Sequence, residues 1–292
     1  MKTVYRGFTP EQLQSQYSAR AAVPEHPQIF QRWRRMSVDF RALSHSELNI
    51  PYGESPREKV DLFLPSTENP PLLVFIHGGY WQAMDKGDFS FIARELVAQG
   101  IAVALPGYDL CPAVTLDQIA AQMRRALLWL KLKAPEYGVD SRQMHLCGHS
   151  AGGQLTALLL ATDWATIAPA FEAASLRTGI SISGLFDLEP LIHTAINDAL
   201  GLDLEDARRN SPILARPHCR VPLLLAVGGD ESSEFHRQSR EFANVWSGQG
   251  VPTRYHSIAG LNHFTLLEQL AVPGSELLQS VLETIGRSAA AC

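Results

Sequence analysis

Apolar residues fall along this chain in two alternating patterns, short unbroken runs and longer stretches with helical spacing. Runs at 72–76, 101–105, 144–147 and 222–227 are too short for buried helices and predict strands covered on both faces. Residues 59–64 alternate as a half-buried strand should, with Pro65 ending it, and 179–184 and 253–258 complete the set of strands. Between them the spacing predicts helices over 88–99, stopped by Gly100, over 116–132, from about Ala151 to Ala161, and from the Ser232 cap to about Trp246, with two more closing the chain. Strands and helices taking turns, with apolar strands, imply an α/β fold: a mostly parallel central sheet with helices on both faces.

Residues 1–45 precede that pattern and read as a helical segment of mixed polarity, broken by Pro24 and Pro27. The segment either caps a site or packs on the core. The stretch 185–217 is irregular and is a candidate cap insertion, since insertions there often shape substrate pockets. No repeat or linker divides the chain, so residues 1–292 are expected to form one domain.

Bulk composition narrows the functions. With 46% hydrophobic and 19% charged residues the chain is globular, and a net charge of -5 gives no reason to expect nucleic acid or an anionic membrane as partner. The N-terminus lacks an apolar leader and no apolar run could span a bilayer, so a cytoplasmic location is expected. Cys111, Cys147, Cys219 and Cys292 are widely spaced and read as free thiols. A small-molecule substrate is the expected partner, with a homodimer the further one considered.

The chemistry centres on Gly148-His149-Ser150-Ala151-Gly152, between a predicted strand and a predicted helix. A serine hydroxyl is a poor nucleophile and needs exposure, a base and oxyanion donors. A strand-turn-helix supplies the setting: Gly148 and Gly152 permit the sharp turn, and the helix start aims the Ala151 N–H at developing negative charge. Gly-x-Ser-x-Gly also occurs as a plain glycine-rich turn with a capping serine, so partners elsewhere must decide. His77-Gly78-Gly79-Tyr80-Trp81 follows the strand at 72–76, and its glycines can expose the N–H groups of Gly78 and Gly79 as further oxyanion donors, with His77 bracing the loop.

Among 10 histidines, position decides. His263 lies in a loop after the last strand, where a general base belongs, whereas His256 lies inside that strand. The acid that orients the base should follow the preceding strand, where Asp230 and Glu231 are adjacent; reach favours Glu231, Asp230 is the alternative, and Asp187 follows an earlier strand. No metal-ligand spacing and no phosphate loop is present in the sequence, so neither metal nor cofactor is expected.

With these motifs the sequence resembles the α/β-hydrolase superfamily, and more narrowly kynurenine formamidases (arylformamidases) and related esterases. The His77–Trp81 run is similar to the HGGxW signature of that group, 232–239 resembles the segment after its acid, and His263-Phe264 matches near the end. Similarity runs from about Tyr17 to the last helices. The resemblance implies a Ser150, Glu231, His263 triad, with Glu231 where Asp is familiar in animal members, which leaves Asp230 open. It further implies acyl transfer to Ser150, a formyl group as the acyl part, an aryl amine as leaving group and a place in tryptophan catabolism. Esterase or amidase action on other short acyl groups is the runner-up, and a non-catalytic binding protein on the same fold the third reading. Tyr80, Trp81, Tyr108, Phe186 and Phe264 are the candidate pocket walls for an aryl group.

Overall fold

A computed structural model describes residues 2–289, so Cys292 lies outside the described residues. Its frame is a sheet of β1 (Ser46–Pro51), β2 (Lys59–Phe63), β3 (Pro71–Ile76), β4 (Ala102–Pro106), β5 (Asp140–His149), β6 (Leu176–Ile182), β7 (Leu223–Gly228) and β8 (Thr253–Ile258). The spatial order is β1-β2-β4-β3-β5-β6-β7-β8. β1 and β2 run antiparallel to their neighbours, and every pairing from β4 to β8 is parallel.

Strand alternation distributes the apolar runs between two cores. In β3, Leu72, Val74 and Ile76 enter one cluster while Leu73 and Phe75 enter the other; β7 divides the same way, Leu223, Leu225 and Val227 against Leu224 and Ala226. Both faces therefore need helices.

Ahead of the sheet come α1 (Pro10–Tyr17), α2 (Ala19–Ala22) and α3 (His26–Leu43), and within it α4 (Ala93–Ala98), α5 (Leu116–Lys133) and α6 (Ala151–Leu160). After α6 follow α7 (Trp164–Ile167), α8 (Asn197–Leu200), α9 (Leu204–Arg209), α10 (Ser233–Ser247), α11 (Thr265–Glu268) and α12 (Glu276–Ala289). Leu13 and Tyr17 of α1 join α5, α6 and α10 in the first cluster; Trp33 and Phe40 of α3 join α4 and α12 in the second. α5 illustrates the cause: Thr115 and Gln118 close a capping box, and buried Leu116, Ile119, Ala120, Met123, Leu127 and Leu130 recur at three- and four-residue spacing along one face.

Three expectations shift. β1 was not predicted; it is mostly exposed, with only Leu48 and Ile50 to mark it, and it pairs with β2 through an irregular register between Glu47 and Ile50. The helix expected over 88–99 is a 3-10 turn over Lys86–Ile92 followed by the short α4, because Asp85 caps the tight turn and Lys86 is drawn into a buried ion pair with Asp61 at 2.6 Å. The break expected at Pro24 and Pro27 is met at Pro24, in the gap between α2 and α3, with a second break after Tyr17, but Pro27 sits in the first turn of α3, where a proline has no N–H to lose. Among the described residues no helix is long and apolar enough to cross a membrane. Cys111, Cys147 and Cys219 are buried free thiols.

Candidate active site

Ser150 stands between β5 and α6 with φ 57° and ψ -118°, a backbone conformation that L residues adopt at a cost of about 1–3 kcal/mol. Its N–H donates to the Ile182 carbonyl at 2.8 Å, tying the turn to the neighbouring strand. Only glycine fits two residues on: a Cβ on Gly152 would lie 1.9 Å from the Ile76 carbonyl oxygen. α6 can thus start hard against β3, and the Ala151 N–H stands free at the first helical position.

The loop after β3 approaches the same point. Gly78 packs so closely that a Cβ there would meet the Ser150 Cβ at 3.0 Å and the His149 carbonyl oxygen at 2.8 Å. His77 braces it: the ring lies between Tyr108, at 4.2 Å between centroids, and Phe89 at 5.6 Å, its Nδ1 bonds the Gly78 carbonyl at 2.7 Å, and the Tyr108 hydroxyl donates to the His77 carbonyl at 2.8 Å. Burial pushes the His77 imidazole down to about 4, so it stays neutral near pH 7.

His263 lies in the turn between β8 and α11. The Asn262 side chain shapes that turn by accepting from the N–H groups of Phe264, at 3.0 Å, and Thr265, at 2.9 Å. His263 Nδ1 donates to Glu231 Oε2 at 2.7 Å; a carboxylate only accepts, so the proton is on Nδ1 and the neutral ring has its lone pair on Nε2. Both side chains are buried, 5% and 1% exposed. The other Glu231 oxygen accepts from the Gly228 N–H at 2.7 Å and from the Ser183 hydroxyl at 2.5 Å. Asp230 is exposed, and the carboxylate bonded to the imidazole is that of Glu231.

His149, next to Ser150, donates from Nε2 to the His263 carbonyl at 2.9 Å and leaves Nδ1 buried without a partner. Burial first, then the nearby His263 ring, holds its pKa well below the ordinary value. It remains neutral and braces the histidine loop.

Ser150 and His263 open into one cavity of about 500 Å³, with Gly78, Gly79, Tyr80 and Phe264 also in its wall. The other three aromatic candidates lie elsewhere, each held by a packing or hydrogen-bonding partner. Trp81 is buried with its indole N–H donating to Gln154, Tyr108 is spent on His77, and Phe186 stacks on Phe242 at 4.1 Å within the core. In their place the N-terminal segment supplies Tyr17, Phe30 and Trp33, whereas the 185–217 stretch supplies Ile196. His256 is a sheet residue bonded to Glu276 and Ser280, and Asp187 accepts from Tyr5.

A strained serine at a strand-to-helix turn, with a carboxylate and a histidine following later strands in that order, is the arrangement of the α/β-hydrolases, and the strand order around it agrees. The chain is a hydrolase of that class. A family described as BD-FAE matches residues 60–189. A kynurenine formamidase of Salmo salar is 32% identical over 97% of this chain and 96% of its own length, and one of Danio rerio 34% identical over 85% of each. Among solved structures, a Silicibacter sp. TM1040 protein provisionally described as a thioesterase superposes with a TM-score of 0.81 at 33% identity, covering 93% of this chain and 99% of that one. Esterase B of Lactobacillus rhamnosis shares the fold, with a TM-score of 0.73 at 21% identity over 97% of this chain and 98% of its own. The chain belongs to the kynurenine formamidase family.

Proposed function

We propose that the protein is a serine hydrolase of aryl formamides of the N-formylkynurenine type, with Ser150 as nucleophile, His263 as general base and Glu231 as the acid that orients it. The observation that carries this reading is the Glu231–His263 bond of 2.7 Å, which engages Nδ1 and leaves Nε2 as the nitrogen to take a proton, in a ring that opens on the Ser150 cavity.

In the proposed cycle Ser150 Oγ attacks the formyl carbon as its proton passes to His263 Nε2. The carbonyl oxygen becomes an oxyanion that accepts from the N–H groups of Gly78, Gly79 and Ala151, each worth on the order of 3 kcal/mol in the transition state. His263 then protonates the amine nitrogen, which leaves as the arylamine, and activates a water that releases formate from Ser150. Glu231 stabilises the imidazolium while it lasts. Its three donors leave little freedom to turn away. A cytoplasmic location suits buried thiols that form no disulfide, and fractionation of expressing cells tests it.

The test is kcat/KM for N-formylkynurenine beside p-nitrophenyl acetate, with Ser150→Ala as the blank. A value of about 10⁴ M⁻¹s⁻¹ or more on the formamide, above that on the ester and absent from the variant, is the expected result. Brisk ester cleavage with negligible formamide cleavage would keep the nucleophile and discard the substrate.

A further inference from the structure

The wall of the Ser150 cavity is aromatic and small-chained, and among the described residues it contains a single permanent charge, the guanidinium of Arg20, and no carboxylate. Arg20 lies on α2 and is exposed, while Ser150 and His263 are 3% and 5% exposed, so the charge stands at the outer end of the cavity and the chemistry at its floor. Its position is held by aromatic rings. The guanidinium carbon lies 5.7 Å from the centroid of Phe30, Phe30 meets Phe264 edge-on at 5.0 Å, and Phe264 meets the His263 ring at 5.3 Å. This row of rings leads from the charge to the base.

Among the described residues no carboxylate lies within ion-pair distance of Arg20. An arginine so placed keeps all its donors for a ligand, and its planar fork matches a carboxylate. Its neighbourhood sharpens the preference: an adjoining cavity of about 250 Å³, which shares Ser18, Ala19 and His263 with the first, has Glu25, Asp230 and Glu231 in its wall, where an anion is repelled.

We propose that Arg20 is a specificity-determining residue that binds a carboxylate on the substrate's tail, so that the protein selects aryl substrates carrying an anionic group remote from the scissile bond. The inference deepens the formamidase reading above and rests on it for the scissile bond alone.

The test uses matched aryl substrates that differ only in a tail carboxylate or its neutral carboxamide, each made once as a formamide and once as an acetate ester. Wild type is expected to favour the carboxylate by about tenfold or more in kcat/KM, the range of one hydrogen-bonded charge contact. Arg20→Gln should abolish that preference through KM, Arg20→Lys should keep part of it, and Arg20→Glu should reverse it. An equal preference in wild type and Arg20→Gln, or none in wild type, overturns the proposal. If only the esters are cleaved, the formamidase reading fails while the ester ratio still decides Arg20.

Discussion

Glu231 has both carboxylate oxygens engaged, one by His263 and the other by Gly228 and Ser183, and this division makes it separable from its neighbour by mutation. Glu231→Gln keeps the shape but can turn an NH₂ toward Nδ1 and impose the wrong tautomer, so kcat should fall by about 10⁴-fold, the loss typical of an orienting acid made neutral. Asp230→Asn changes an exposed side chain and should leave kcat near the wild-type value; a larger loss in Asp230→Asn than in Glu231→Gln would transfer the role. Ser183→Ala removes one donor to a charged acceptor and should lower kcat by about tenfold while KM holds. Ser150 and His263 were legible because their motifs are local: a glycine-flanked turn and a loop after the last strand. Ser183 was not. It reaches Glu231 only because β6 lies beside β7 and because the residue takes φ 52° just past the strand end, and neither fact is written in its neighbouring residues.

At the scale of elements, the N-terminal segment is the part whose role the sequence left open. Its helical character was expected, but its destination depends on polar contacts made far along the chain. The Tyr80 hydroxyl donates to the Tyr17 carbonyl at 2.6 Å, and the Ser232 hydroxyl donates to the Gln16 carbonyl at 2.6 Å. The Tyr17 hydroxyl donates to Glu234 at 2.7 Å and accepts from Gln238 at 2.7 Å, all on α10. These bonds strap residues 16 and 17 across the sheet's carboxyl edge and place α2 in the cavity wall. Burial, then the Glu234 charge, pushes the Tyr17 hydroxyl pKa up, so it stays a donor at any working pH. Tyr17→Phe deletes that donor while Glu234 keeps Arg237 at 2.6 Å, and should cost about 2 kcal/mol. Urea unfolding reads this as a lower midpoint with unchanged slope. An unchanged midpoint would mean that the Tyr17 hydroxyl adds nothing to the strap beyond the Tyr80 and Ser232 bonds to its backbone.

For the whole molecule, the parallel α/β plan was legible because strands buried on both faces must be apolar, and β3, β4 and β7 are; that β4 lies between β2 and β3, and that β1 forms the edge, could not be read, since sheet order depends on crossovers and not on composition. The same double burial makes three histidines a global pH device. His77, His145 and His149 lie in or at the ends of the sheet, and burial is the first cause of a lowered pKa in each. For His77 the charges of Asp85 and Asp88 pull the other way and Arg57 pushes with burial; for His145, Arg177 adds to it. His77 and His145 fall to about 4 from an ordinary 6.5. That is about 3 kcal/mol of resistance to protonation apiece. Above pH 6.5 all three are neutral in both states and the contribution is complete. As pH falls from 6.5 toward 4 the unfolded chain binds protons that the native one refuses, so stability drops by up to about 4 kcal/mol per pH unit if all three titrate together. Urea midpoints at pH 7, 6 and 5 should therefore descend steeply. His145→Gln, outside the Ser150 cavity, should remove about a third of the slope by the same linkage. A flat midpoint from pH 7 to 5 would show that these histidines accept protons in the native state, and with them that the two cores admit water under acid.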